Sequence, residues 1–172
     1  MERLPEPRSA GPYRIHVVCL GNICRSPTAE VILDELVDRA GLSARVSVDS
    51  SGLGTWHLGE AMDRRSAAEL LAAGYDPSQH AAARLPTDWA QTYDLVLAMD
   101  HSHLTELRDQ VADDPDATAR VRLFRGFDPV DPGGDVPDPY YGGDHGFQEV
   151  LTMVERTSIA IVSALQRELA PR

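Results

Sequence analysis

The sequence predicts an α/β fold: an open four-stranded parallel sheet with helices on both faces. Three observations carry this. Four short apolar runs, rich in β-branched residues, read as strands. Segments with helical apolar spacing separate them. No repeat, linker or composition break divides the 172 residues.

Residues 1–12 hold Pro5, Pro7 and Pro12 and show no periodicity, so they are expected to form a disordered or loosely attached arm before a single domain spanning 13–172. Tyr13 to Cys19 is the first strand. Leu20 to Ser26 is a turn containing Gly21 and Asn22. Pro27 suits the first position of a helix, with Ser26 as its N-cap. Ala29, Val31, Ile32, Leu33, Leu36 and Val37 continue that helix until Gly41. Arg45 to Ser50 is the second strand, and Ser51 to Gly59 a glycine-bearing loop. A helix over Glu60 to Ala73 ends at Gly74. Tyr93 to Met99 is the third strand, followed by a helix from His101 to Val111. Asp113 to Asp116 is an acidic turn, and Arg120 to Phe124 the fourth strand. A long loop rich in Pro, Gly and Asp runs from Gly126 to Gly146 before a final helix, Phe147 to Leu169. Loops of that length in compact domains are usually functional or disordered.

Composition narrows the function. Hydrophobic residues make up 42% and charged residues 25%, ordinary for a globular protein. No run approaches the roughly 20 apolar residues of a membrane span. The polar start does not resemble a signal peptide, so a cytoplasmic protein is expected. The net charge of −11 disfavours nucleic acid and anionic membranes as partners. Any anionic substrate must therefore be held by local groups. The two cysteines cannot build a zinc site unaided, and the histidines lack metal-finger spacing, so neither metal nor cofactor is expected.

The chemistry concentrates in Val18-Cys19-Leu20-Gly21-Asn22-Ile23-Cys24-Arg25-Ser26-Pro27. This segment leaves the C-terminal end of a strand and enters a helix, where open α/β sheets bind ligands. A helix N-terminus offers unpaired N–H groups and a positive dipole end, and a loop curled above it adds more. Gly21 and Asn22 tolerate the positive φ such a loop needs. A cysteine beside that N-terminus and a guanidinium is favoured as thiolate, the nucleophilic form. Arg25 can return to grip two phosphate oxygens. Ser26 can donate a hydrogen bond to the sulfur.

Val18 to Glu30 (V-C-L-G-N-I-C-R-S-P-T-A-E) and Asp138 to Gly142 (D-P-Y-Y-G) resemble the low-molecular-weight protein tyrosine phosphatases. Ser50 to Gly59, Gly74-Tyr75 with His80, and Ala98 to Asp100 match further landmarks in order, so the resemblance runs from Tyr13 to the C-terminus. It implies a metal-free, two-step phosphatase of phosphotyrosine-containing proteins, expected to be a monomer. Cys19 is the implied nucleophile, Arg25 the phosphate clamp and Asp138 the general acid. Leu20, Gly21, Asn22, Ile23, Cys24 and Ser26 form the implied phosphate-binding loop.

The resemblance further makes Trp56, Tyr140 and Tyr141 walls for a phosphorylated ring. Asn22, Ser50 and His80 become supports of the loop. Asp100 either orients Arg25 or caps the helix that follows it. Cys24 either pairs reversibly with Cys19 under oxidation or is a buried small residue without a redox part. Tyr140 and Tyr141 are implied phosphorylation sites. The other histidines are expected at the surface or in packing.

Three rival readings share parts of this pattern. Phosphoarginine phosphatases resemble it, but that branch tends to carry Thr where Ile23 stands. Thiol-dependent arsenate reductases need further downstream cysteines, and none follows Cys24. An inactive phosphopeptide-binding module would be expected to have lost Cys19 or Asp138.

Overall fold

Along Tyr13–Cys19, one alternating set of side chains is wholly apolar and Val18 on the other face is apolar too, and every residue but Arg14 is buried, so the strand is covered on two faces. The computed structural model, which describes residues 2–169, places it inside the sheet. The strands β1 (Tyr13–Cys19), β2 (Val46–Gly52), β3 (Leu95–Ala98) and β4 (Val121–Leu123) are all parallel, in the order β2-β1-β3-β4. The four-stranded sheet is the one expected.

Ile15, Val17, Leu95 and Leu97 face one side. There α1 (Arg25–Arg39) and α6 (Asp144–Glu168) bury Ile32, Leu33, Ile161 and Leu165 against them. Val18, Val96, Ala98 and Val121 face the other side. They meet Trp89 of α3 (Trp89–Thr92), Leu107 of α4 (His101–Gln110) and Ala117 of α5 (Pro115–Arg120). Each fully buried large aliphatic side chain contributes roughly 1.5–3 kcal/mol relative to exposure. Helix α2 (Arg64–Ala72) lies beside α6. A 3-10 turn, Phe124–Phe127, follows β4.

Several boundaries differ from expectation. Ser26 lies inside α1, and Cys24 occupies the N-cap without a side-chain bond, because the Ser26 hydroxyl is engaged elsewhere. The expected acidic turn is the start of α5, where Asp114 caps Ala117 N and Pro115 opens the helix. Helix α2 begins at Arg64, later than read, because Asp63 caps it by accepting from Arg65 N.

The largest correction concerns residues 2–12, which are tied down rather than loosely attached. Leu4 is buried in the main core, and its amide donates to Glu168 Oε2. The Arg8 amide donates to Asp94 Oδ1, and its guanidinium to the carbonyls of Tyr93 and Ala90. Arg120 donates to Glu6 O, and the Tyr13 hydroxyl to Pro5 O. Main-chain acceptors and a buried leucine hold a proline-rich segment that has no pattern of its own.

Candidate active site at the end of the first strand

The parallel sheet sets all strand C-termini at one end. There β1 stops at Cys19, and the chain turns through Leu20–Cys24 into α1. The turn needs one left-handed residue, and Asn22 supplies it with φ 56°. Of the two candidates for positive φ, Asn22 takes it and Gly21 does not. Gly52 permits close approach beneath: a Cβ there would lie 2.8 Å from Leu20 O. Among the described residues, the amides of Ile23, Cys24 and Arg25 meet no protein acceptor. They are free donors at the mouth of α1, suited to an oxyanion.

Cys19 Sγ lies 2.9 Å from Ser26 Oγ and accepts from Asn22 N at 3.3 Å. Two donors can thus steady negative charge on sulfur. Asn22 is a fully buried hub. Its Nδ2 donates to Ser26 Oγ at 2.8 Å and to Ser50 Oγ at 2.9 Å, while its Oδ1 accepts from Ala83 N at 2.8 Å. His80 Nε2 donates to Asn22 O, and its Nδ1 faces Glu30 Oε2 at 3.0 Å. Ser50 Oγ donates to the same Glu30 oxygen. The sequence reading brought together Asn22, Ser50 and His80 but passed over Glu30. It lies four residues after Ser26, one turn along the same helix face.

Arg25 has a side chain only 5% exposed, buried by the aliphatic stem with its head toward the cleft. Its Nη1 donates to Asp100 Oδ2 at 2.8 Å and to Val136 O at 3.1 Å. Asp100 performs both of the roles left open by the sequence, because its Oδ1 caps α4 by accepting from His103 N. Burial opposes the Asp100 charge, but the His103 amide and the Arg25 guanidinium outweigh it and hold the carboxyl below its usual range. Arg25 Nη2 lies 3.7 Å from Asp138 Oδ2, and the Asp138 side chain is 42% exposed. Asp138 also accepts from Tyr140 N.

These groups share one cleft of about 440 Å³. Every predicted loop residue except Ser26 lines it, with Trp56, Asp138, Tyr140 and Tyr141. Ser26 sits behind, on the sulfur. Trp56 is 69% exposed and packs against Gly54, where a Cβ would fall 1.8 Å from its ring. Tyr140 is half-buried and meets Tyr141 edge-on at 4.9 Å, with Tyr141 93% exposed. His57, expected only at the surface or in packing, also lines the cleft, paired with Glu60. His103 is buried beside Asp100, a packing position. Both cysteines are free thiols. Burial pushes the Cys24 thiol up to about 12, and the Asp63 charge adds to it, so the Cys24 thiolate is disfavoured.

One other constellation carries the atoms of nucleophilic catalysis. Ser51 Oγ lies 2.6 Å from His16 Nε2, and His16 Nδ1 meets Asp49. Ser51 is fully buried, with His16 stacked on Tyr93, so no substrate can reach the hydroxyl. It is a satisfied core network. Among the described residues, no cluster of His, Cys, Asp and Glu could hold a metal ion. No described helix is long and apolar enough to cross a membrane.

Residues 14–170 match the family model described as low molecular weight phosphotyrosine protein phosphatase. The chain is 46% identical over 162 residues to a low molecular weight protein-tyrosine-phosphatase of Streptomyces coelicolor, covering 93% of this chain and 98% of that protein. A protein tyrosine phosphatase of Entamoeba histolytica superposes with a TM-score of 0.85 at 27% identity, covering 91% of this chain and 99% of that one. The arginine phosphatase YwlE, from Bacillus subtilis, superposes with a TM-score of 0.79 at 26% identity, covering 90% of this chain and 97% of that one. With the family model spanning residues 14–170 and relatives this similar over nearly the whole chain, the chain belongs to the low-molecular-weight protein tyrosine phosphatase family.

Proposed function

We propose that this phosphotyrosine phosphatase works through Cys19, Arg25 and Asp138, without metal or cofactor, on phosphotyrosine-containing proteins of the cytoplasm. The observation that carries the reading is the meeting of Arg25 and Asp138, 3.7 Å apart, over the cleft that holds the Cys19 sulfur.

Phosphoryl transfer asks mainly for positioning and charge stabilisation. The loop amides of Ile23, Cys24 and Arg25, with the Arg25 fork, would bind the phosphate oxygens. The Cys19 thiolate attacks phosphorus as the P–O bond to the ring breaks. Asp138 gives its proton to the departing phenolic oxygen, leaving phosphocysteine and tyrosine. Water then attacks phosphorus and passes a proton to the Asp138 carboxylate. The S–P bond breaks, inorganic phosphate forms, and Cys19 leaves as thiolate, steadied by Ser26 Oγ and Asn22 N. One aspartate thus serves as acid and then as base. Its partial exposure lets both leaving group and water reach it.

Trp56, Tyr140 and Tyr141 would flank the ring, with each aromatic contact worth about 0.5–1.5 kcal/mol. An aromatic rim suits a phosphorylated phenol better than a phosphorylated guanidine, which favours phosphotyrosine over phosphoarginine.

The test is phosphate release from free phosphotyrosine and phosphoarginine, side by side, for wild type and Cys19→Ser. Turnover of phosphotyrosine that Cys19→Ser removes supports nucleophile and substrate together. Preference for phosphoarginine keeps the mechanism and overturns the substrate.

A further inference from the structure

The general acid sits on a loop that is exposed and far in sequence from the sulfur it must serve. Something must hold the two in register. The N-terminus of α2 touches both. The Asp63 amide donates to Ile23 O in the Cys19 turn at 2.8 Å. Two residues after Asp63, the Arg65 guanidinium reaches the other way. Its Nη2 donates to Tyr140 O at 3.0 Å and its Nη1 to Gly142 O at 3.4 Å. The same plane lies over the rings of Phe147 and Tyr140, 4.4 and 5.7 Å from their centroids. Asp63 fixes the Arg65 fork from behind, accepting from Nε at 3.2 Å and Nη2 at 3.1 Å. Those bonds hold the Asp63 carboxyl below its usual range although burial opposes it. Tyr140 is two residues from Asp138 and donates its amide to the Asp138 carboxylate.

We infer that Arg65 is a positioning residue for the general acid: it locks the Asp138–Gly142 segment to the turn that carries Cys19. The inference rests on the assignment of Asp138 as acid. Lysine lacks the planar fork, and alanine lacks every bond, so both loosen the lock to different degrees.

A misplaced acid hurts most when the leaving group needs its proton. The experiment is therefore kcat/KM for aryl phosphates from p-nitrophenyl to phenyl phosphate, with thermal melting as a control. Arg65→Ala should lower the rate on phenyl phosphate about ten- to a hundredfold, the scale for a 1 Å misplacement, and barely change it on p-nitrophenyl phosphate. Arg65→Lys should fall between, recovering part of the leaving-group dependence. Arg65→Ala combined with Asp138→Asn should be no steeper than Asp138→Asn alone. Equal losses on all substrates, or a double variant steeper than Asp138→Asn, would overturn the positioning role. A flat series for Asp138→Asn would instead overturn the acid assignment. If Arg65→Ala does not fold, Arg65→Lys and Arg65→Gln give the same comparison.

Discussion

The Cys19 turn and the Asp138 loop serve one cleft but are built in opposite ways. The turn is buried, and its parts are wired to one another: Asn22, Ser26, Ser50, His80 and Glu30 form one continuous network. The Asp138 loop is largely exposed and hangs from separate anchors. Arg125 holds Asp135 O at 2.7 Å, Met99 O receives the Val136 amide, and Arg65 takes Tyr140 O. Rigid placement suits a nucleophile and an anion cradle, whose geometry is the same in both steps. In the proposed mechanism, Asp138 gives a proton to one molecule and takes one from another, and that needs access.

The largest expected effect lies where the two regions meet. Arg25→Lys keeps the charge but loses the fork shared between phosphate, Asp100 and Val136 O. It should lower kcat on the order of 10²–10³-fold, as for loss of one transition-state donor, measured on phosphotyrosine with melting as control. A loss below tenfold would mean that the cradle amides suffice.

Inside the turn, Asn22→Ala removes three side-chain hydrogen bonds and leaves at φ 56° a residue less tolerant of the left-handed region than asparagine. It should cost about 2–4 kcal/mol in urea unfolding. Asn22→Gly should regain only the backbone part. If glycine restores everything, the network is dispensable and the contrast with the Asp138 loop fails.

At the rim, Gly54→Val should push Trp56 off its seat and raise KM for phosphotyrosine several-fold, about one aromatic contact, with kcat little changed. An unchanged KM would remove Trp56 from the substrate wall.

The smallest effect is on pH. Burial depresses the His103 pKa below its ordinary 6.5, although the Asp100 charge opposes this. As pH falls below that ordinary value, the unfolded chain takes the proton first. Stability present above it is then lost until the lower folded value is reached. Asp128, between Arg156 and Arg125, has its carboxyl well below the usual range, with the Arg156 bond the main cause. Its contribution persists above the ordinary carboxylate value of 3.8 and fades only as pH falls through the folded value. Urea midpoints from pH 8 to pH 5 should therefore decline in wild type and flatten in His103→Gln. Parallel declines would acquit His103.

The same contrast explains what the sequence made legible. Strands, α1 and the Cys19 turn follow from local pattern: alternation, apolar spacing, and Gly, Asn and Pro at fixed offsets. Asp138 was reached through resemblance and its Pro139 neighbour. Glu30 and Arg65 were not, because their partners His80 and Tyr140 lie far along the chain and no local period marks them. The short helices α3 and α5 escaped for a related reason, since four and six residues are too few to show a helical repeat. The strap over residues 2–12 failed most plainly, because prolines without periodicity describe a loop equally well whether it is tethered or not.

That strap crosses the pole of the sheet opposite the cleft, and it hides a protease site. Trypsin needs an extended arginine, and the Arg8 side chain and amide are both committed to the body of the protein. Cleavage after Arg8 must wait for the segment to lift, so the lag before cutting is a clock for local opening at that end.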